Sequence, residues 1–159
     1  MKKKSPVTHF RLGQMYMIKK DYIRARQEFK TTITQDPDMK DAYRKLAESC
    51  MVLGDYDEAL ANYEKAHEFY PNDLELAMSL AICYDGKEEV EKAIEVLQDI
   101  KSKKTDYDMV NYNLAYGYNT LENYTEAFKF VEEELKYFPS NDMAIELKNE
   151  IEKSLEDSK

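Results

Sequence analysis

Residues 46–71, LAESCMVLGDYDEALANYEKAHEFYP, contain the pattern from which the rest of the chain is built. Leu46 and Ala47 begin one apolar stripe, Ala59 lies in a second, and Pro71 closes the segment. Each of these positions recurs at a step of 34 residues. The four columns are Leu12, Leu46, Leu80 and Leu114; Gly13, Ala47, Ala81 and Ala115; Ala25, Ala59, Ala93 and Ala127; and Pro37, Pro71, Thr105 and Pro139. A period that keeps its register four times indicates a tandem structural repeat.

Each repeat predicts two helices joined by a short polar turn. In the first repeat, Leu12 and Tyr16 share one helical stripe, and Ala25 and Phe29 share a second. The small residues allow two helices to approach closely, and the prolines stop the second helix. Segments 36–38, 71–73 and 140–142 carry Asp or Asn that we expect to cap the helices after them. The predicted helices lie near 7–19, 22–35, 40–53, 56–69, 74–86, 90–101, 107–121 and 124–137, with a capping helix over 141–157.

This pattern resembles the tetratricopeptide repeat family over about residues 6–139. The resemblance rests on the 34-residue period, the Leu-small-x-x-Tyr column, the Ala-x-x-x-aromatic column and the terminal proline. It implies an all-α fold, a right-handed superhelical solenoid of helix-turn-helix hairpins with a capping helix. It further implies a single domain over residues 1–159, with units at about 6–39, 40–73, 74–107 and 108–140. The third unit departs most, because Thr105 replaces the proline and weakens the stop before it.

Charge divides the chain into a basic head and an acidic body. Residues 1–45 hold 12 Lys/Arg and 5 Asp/Glu, a net charge of +7, whereas residues 46–159 have a net charge of −16. The acidic body argues against nucleic acid as a partner, because contacts to phosphates dominate that affinity. The basic head is either a solvated surface or a contact for an acidic partner, an anionic membrane or the acidic half of a second copy. Self-association is therefore one open alternative.

Residues typical of enzymes, metal sites and cofactor sites form no recognisable motif. Cys50 and Cys83 lack metal or redox spacing, and His9 and His67 stand alone, so we expect two buried thiols in a reducing compartment. There is no Gly-rich phosphate loop, and the carboxylate pairs read as solvated helix faces. We therefore predict a non-enzyme with no catalytic residues, no metal and no cofactor. No apolar run is long enough to span a membrane, and the start lacks the apolar segment of an intact secretory signal.

The family resemblance places a peptide-binding groove on the first helices of the units. The predicted groove residues are Phe10, Arg11, Gln14, Arg44, Lys45, Glu48, Met78, Ile82, Met109, Tyr112, Asn113 and Tyr116. The family's best-known site, which grips a C-terminal carboxylate, needs Lys, Asn and Arg donors at set positions in three consecutive units. Phe10 and Glu75 replace donors if the site spans units one to three, and Glu48 and Met109 replace them if it spans units two to four. We expect an extended or helical peptide instead, with an apolar anchor near Tyr112 and acidic groups near Arg44 and Lys45. The alternative is that Ile82, Tyr112 and Tyr116 only pack between neighbouring first helices.

Three classes of function fit these expectations. The first is a protein- or peptide-binding adaptor or scaffold. The second is a small secretion-type or assembly chaperone that holds a client segment in the groove. The third is a self-assembling scaffold that joins copies head to tail. All three fit a cytoplasmic protein, although a removed signal or anchor would leave the same sequence.

Overall fold

The computed structural model describes residues 4–157, and these form nine α-helices without a strand. The helices are α1 Pro6–Ile18, α2 Tyr22–Gln35, α3 Lys40–Val52, α4 Tyr56–Phe69, α5 Leu74–Gly86, α6 Val90–Lys103, α7 Val110–Thr120, α8 Tyr124–Tyr137 and α9 Asp142–Asp157. The all-α helical repeat fold is therefore confirmed. Every predicted helix is present, and each bound lies within three residues of its prediction.

The largest difference lies in the third unit, where the proline is missing. Without that stop, α6 continues to Lys103 rather than 101. The chain then turns, and α7 begins at Val110 rather than 107 because Met109 takes a left-handed backbone conformation with φ 62°. The irregularity expected from Thr105 thus appears as a shortened α7.

The turn inside each helical hairpin has one backbone form in all four repeats. Lys20, Gly54, Glu88 and Glu122, again 34 residues apart, have φ of 58°, 74°, 62° and 58°. The next residue donates its backbone N–H to a carbonyl five residues back, at 2.9–3.0 Å, in the manner of a Schellman motif. Three of these four left-handed positions are not glycine, so the tertiary structure holds them against their intrinsic preference.

Side chains cap most of the described helices, including two of the three for which the sequence predicted a cap. Asp21, Asp55 and Asn123 cap second helices by accepting from the N–H three residues on, at 3.2–3.4 Å. The caps predicted for α5 and α9 are Asp73 and Asn141. The cap predicted for α3 from Asp36 and Asp38 is wrong. Met39 occupies the N-cap position of α3, and its side chain accepts no hydrogen bond there. Asp36 instead accepts from the backbone N–H of Asp38.

The chain divides into two compact units, Met1–Cys83 and Tyr84–Lys159, and each is described by itself. In the first, α1 pairs with α2, α3 pairs with α4, and α2 packs against α3. Phe29 and the alanine column fill this core, with Ala25 and Ala59 both 0% exposed. The prediction of one domain over residues 1–159 stays a prediction, and its residues 1–3 and 158–159, like the start of the predicted basic head, lie outside the described part.

In the second unit, α7 pairs with α8, α6 packs against α7, and α9 covers α8. Leu114 and Val131 are fully buried at the centre, and Ile151 of α9 is buried beside them. The core also holds a carboxylate. Glu134 is 0% exposed and accepts from the backbone N–H of Tyr112 at 3.3 Å and from the Asn141 amide at 3.0 Å. Burial raises the pKa of Glu134 above its usual value, although both hydrogen bonds favour the ionised form.

Candidate functional site

A pocket of about 380 Å³ lies between α1 and α3 in the first unit, and we call it the first-unit pocket. It brings together four residues of the predicted groove, which are Phe10, Gln14, Arg44 and Lys45. The remaining lining residues are Asp41, Tyr70 and Asp73. α1 and α3 are the first helices of their repeats. The groove was predicted on such helices, and four of the predicted side chains lie together here.

Ion pairs organise the polar wall of the first-unit pocket. The Arg44 guanidinium donates to the Asp73 carboxylate, and it lies 5.9 Å from the centre of the Tyr70 ring. Lys45 donates to both carboxylate oxygens of Glu48 at 2.7 and 2.9 Å, one helical turn away on α3. The two cations therefore already have carboxylate neighbours, and an acidic ligand would have to compete with them.

Asp73 has two structural tasks in this wall. Besides pairing with Arg44, it caps α5 by accepting from the backbone N–H of Leu76 at 3.0 Å. Partial burial favours the neutral acid, but these hydrogen bonds and the charge of Arg44 outweigh it. The pKa of Asp73 consequently lies below its usual value, so the group is ionised at neutral pH.

An aromatic hydroxyl closes the other side of the pocket. Tyr70, which follows α4, donates its hydroxyl to the Asp41 carboxylate at 3.1 Å. Partial burial and this hydrogen bond raise the pKa of Tyr70 above its usual value. Phe10 contributes the apolar part, since its ring packs against the buried Phe29 at a centroid distance of 5.7 Å. The pocket thus offers an aromatic surface beside two cations and two carboxylates, those of Asp41 and Asp73.

The rest of the predicted set in the first unit lies outside this pocket. Arg11 is exposed on α1, and Glu48 is the partner of Lys45. Met78 is half-buried on α5, and Ile82 is 48% exposed on the same helix.

In the second unit, the predicted residues on α7 have an acidic neighbour, the capping helix. Burial raises the pKa of Tyr112, and the charges of Tyr116, Glu146 and Glu150 add to this. Tyr116 is 44% exposed, and the Asn113 amide donates to the Met109 carbonyl at 2.9 Å. Met109 also lines a separate pocket of about 480 Å³ formed mainly by residues 137–141.

Sequence reasoning missed Tyr70 and Asp73, because neither lies on a first helix. A signal was nevertheless present in the spacing. Asp41 and Tyr70 are 29 residues apart, as are Arg44 and Asp73. A third pair, Arg26 with the cap residue Asp55 at 3.0 Å, has the same separation. In both arginine pairs, the cation lies 29 residues before the residue that caps the helix two further along the chain, so this spacing marks the contact.

Two other kinds of site are absent from residues 4–157. No group of three or more His, Cys, Asp or Glu side chains in this range is arranged to hold a metal ion. Within the same residues, no helix combines the length and apolar character needed to cross a membrane.

Comparison with known proteins gives three kinds of similarity. The sequence model described as tetratricopeptide repeat matches residues 16–61 and 53–114. The TPR repeat-containing protein YpiA of Bacillus subtilis (strain 168) is 30% identical over 135 residues, which are 83% of this chain and 31% of YpiA. The chain therefore spans less than a third of that relative's length.

Solved structures share the arrangement of helices at low sequence identity. YrrB, described as a TPR protein with an unusual peptide-binding site, has a TM-score of 0.86 at 19% identity, covering 91% of this chain and 74% of its own. A tetratricopeptide repeat protein from Parabacteroides merdae ATCC 43184 has a TM-score of 0.87 at 18% identity, covering 96% and 60%. MamA 41-end from Desulfovibrio magneticus RS-1 has a TM-score of 0.80 at 21% identity, covering 87% and 78%. At these identities the similarity shows the fold.

Proposed function

This chain belongs to the tetratricopeptide repeat family, and from that premise we propose that it is a non-catalytic adaptor that binds a peptide segment of a partner protein in the first-unit pocket. The supporting observation is that one pocket gathers an aromatic face, two cations and hydrogen-bonding groups from α1 and α3. A few convergent polar groups beside an aromatic surface are typical of a binding site. The family implies a protein or peptide as the ligand class.

The lining predicts the chemistry of the bound segment. A peptide carboxylate can take the place of Glu48 on Lys45, because that pair is partly exposed and an exposed pair within one helix is weak. An apolar side chain next to that carboxylate would then cover the ring of Phe10. The Arg44–Asp73 pair is less exchangeable, since Asp73 also caps α5. We therefore propose an acidic residue beside an apolar one as the recognised feature.

Two further observations support the proposal. YrrB has the same fold and is described as having an unusual peptide-binding site, which supports a peptide as the ligand class proposed for this chain. Cys50 and Cys83 are both buried thiols, which suits the reducing cytoplasm that we propose as the location.

Site-specific cross-linking tests the proposal. A photo-reactive amino acid is placed at Gln14, which lines the pocket, and in a matched variant at Gln27, which is exposed on α2. We expect a partner protein to be cross-linked in the native cells from Gln14 only. Equal products from both positions would show that the pocket is not the site.

Charge reversal then tests the recognised feature with the identified partner. Lys45→Glu should weaken the affinity at least tenfold. Lys65→Glu is the control, because Lys65 forms the same type of pair, with Glu68, on α4. Equal affinities of the two variants would remove Lys45 from the site. Met78→Ala and Tyr112→Ala, measured singly, decide whether either predicted anchor belongs to the contact.

A further inference from the structure

The turn between α1 and α2 exposes two large apolar side chains to solvent. Ile18 is 84% exposed and Ile23 is 70% exposed, and they are the two most exposed large apolar side chains among residues 4–157. Lys19 and Lys20 lie between them in the chain and are exposed as well. We call Ile18, Lys19, Lys20 and Ile23 the first-turn tip.

The other three hairpin turns show which side chains this turn requires. They have the same backbone form, with a left-handed residue at the position of Lys20. The position of Ile18 is taken by Val52, Gly86 and Thr120, and the position of Ile23 by Asp57, Glu91 and Thr125. All six residues are exposed although each of their repeats follows another repeat, so stacking of repeats does not cover this edge. Packing therefore does not explain the two isoleucines.

The first-turn tip also differs from the other turns in its charge. Residues 18–24 contain Lys19, Lys20 and Arg24 against Asp21, a net charge of +2. The equivalent segments are acidic, with net charges of −3 for 52–58, −1 for 86–92 and −2 for 120–126. Arg24 pairs with Asp21 at 2.6 Å, so the excess positive charge lies on the two lysines.

The neighbouring turn extends the apolar surface within the first unit. Arg26 of α2 donates to Asp55, the cap of α4, at 3.0 Å, which places the two turns side by side. The second turn exposes Val52 at 58% and Leu53 at 37%. Because this turn is acidic, it can add apolar area only, and the lysines of the first-turn tip must supply any attraction to an anionic surface.

Exposed isoleucines beside lysines are suited to the surface of an anionic bilayer. Apolar side chains gain free energy by entering the boundary between headgroups and acyl chains. Lysines keep their charge at the headgroups while their stems lie along the apolar region, and they attract acidic lipids. The tip is a turn that joins two helices, so its side chains project outward and can enter lipid without a matching pocket.

We propose that the first-turn tip binds the surface of an anionic lipid bilayer, with Ile18 and Ile23 inserted and Lys19 and Lys20 at the headgroups. The contact is peripheral, since no helix within residues 4–157 can span a membrane. The tip shares no residue with the first-unit pocket, so peptide binding there and membrane binding here can fail independently.

Co-sedimentation of the full chain with lipid vesicles tests the proposal. Vesicles of phosphatidylcholine with about 30% phosphatidylglycerol provide the anionic surface, and vesicles of phosphatidylcholine alone are the neutral control. We expect the chain to bind the anionic vesicles about tenfold or more tightly than the neutral ones, and this binding should weaken as salt increases.

A double variant tests the apolar contribution. Ile18→Thr combined with Ile23→Thr installs the residues of the fourth repeat, both threonine, and leaves the net charge unchanged, so the chain should fold. Binding to the anionic vesicles should weaken about tenfold or more. Met143→Thr combined with Ile145→Thr is the matched control, since these α9 residues are 52% and 40% exposed, and it should bind like the unchanged chain.

A charge reversal tests the lysines. Lys20→Glu installs the residue that the third and fourth repeats have at this position and should weaken binding to the anionic vesicles several-fold. Lys65→Glu makes the same change in net charge on α4 and should have a smaller effect. Far-UV circular dichroism verifies that all variants are folded.

Four results would overturn the proposal. The first is no binding to the anionic vesicles, and the second is equal binding to anionic and neutral vesicles. The third is equal binding by the two double variants. The fourth is a concentration-dependent dimer in sedimentation that Ile18→Thr with Ile23→Thr abolishes, which would assign the first-turn tip to a second copy.

Discussion

Gly13 of α1 provides the sharpest test of how the helical hairpins pack. A Cβ atom added there would lie 2.6 Å from Cε1 of Phe29 and 2.8 Å from two further ring atoms. Real Cβ atoms essentially never approach so closely, so the ring would have to move. Phe29 is 0% exposed and also packs against Phe10, which leaves it little space. We therefore predict that Gly13→Ala destabilises the first unit.

The size of the effect follows from two opposing contributions. Overpacking a filled core costs about 1–3 kcal/mol. Replacing Gly by Ala inside a helix gains about 1 kcal/mol from helix propensity. The net change for Gly13→Ala is therefore between about 0 and 2 kcal/mol, and by itself it would be hard to interpret.

Gly117→Ala removes this ambiguity because it shares the propensity gain. Its added Cβ would lie 3.0 Å from Cγ1 of Ile94, a contact that a shift of a few tenths of an ångström relieves. Subtracting the two variants cancels the propensity and leaves the steric cost. We expect Gly13→Ala to be less stable than Gly117→Ala by about 1–2 kcal/mol.

Urea unfolding followed by far-UV circular dichroism measures the difference, and hydrogen exchange assigns it to α1 and α2. A double-mutant cycle with Phe29→Leu adds a second readout. The smaller side chain should relieve the clash, so the coupling between positions 13 and 29 should be about 1 kcal/mol and favourable. If Gly13→Ala is as stable as Gly117→Ala, or if the coupling is zero, the close approach of α1 and α2 is not what requires glycine.

Three further predictions concern the turns, the cysteines and the first-unit pocket. Glu122→Gly should raise the free energy of unfolding by about 0.5–1 kcal/mol, because it removes a left-handed backbone penalty of about 1–2 kcal/mol but gives the unfolded chain more freedom. Gly54→Ala should lower the free energy of unfolding. Urea unfolding in which both variants change the free energy in the same direction would contradict this. Cys50, whose pKa is raised to about 12 chiefly by burial, should react with a disulfide reagent only as the chain unfolds, and rapid labelling of the native protein would contradict its position. Asp73 has a lowered pKa when folded, so its contribution to stability is present above its unfolded pKa and is lost as pH falls through the folded pKa. Asp73→Asn keeps the cap but should lower the free energy of unfolding at neutral pH and make it depend less on pH in the acid range. An unchanged dependence in the acid range would show that the Arg44 pair contributes nothing.

Much of the fold was predictable because the repeat is visible in the sizes of the side chains at the helix contacts. The alanine and leucine columns must be small or apolar wherever two helices meet, and this constraint recurs every 34 residues. The bounds of α2, α4, α5 and α8 therefore match their predictions in full. The start of α7 was less predictable, since it depends on the left-handed conformation of Met109, to which no sequence preference points.

The candidate site was predictable only in part, for a related reason. The register identified Phe10, Gln14, Arg44 and Lys45 as residues of first helices, and these four line one pocket. It did not assign Tyr70, at the end of α4, to the pocket, and it predicted Asp73 only as the cap of α5. Side chains at helix ends are placed by the turn between helices, and the spacing along a helix does not report on that turn.

The sequence by itself determined the period, the positions of the helices and the faces that they bury, because each of these follows from local spacing and side-chain size. Only the tertiary structure decided pairings such as that of Lys101 on α6, which donates to Glu133 on α8 at 2.5 Å across 32 residues. It also decided that Lys20, Glu88 and Glu122 adopt the backbone that glycine has at position 54. The physical reason is that the packing of two helices fixes the turn between them, and the turn residues then adopt this backbone at a local cost of about 1–2 kcal/mol each.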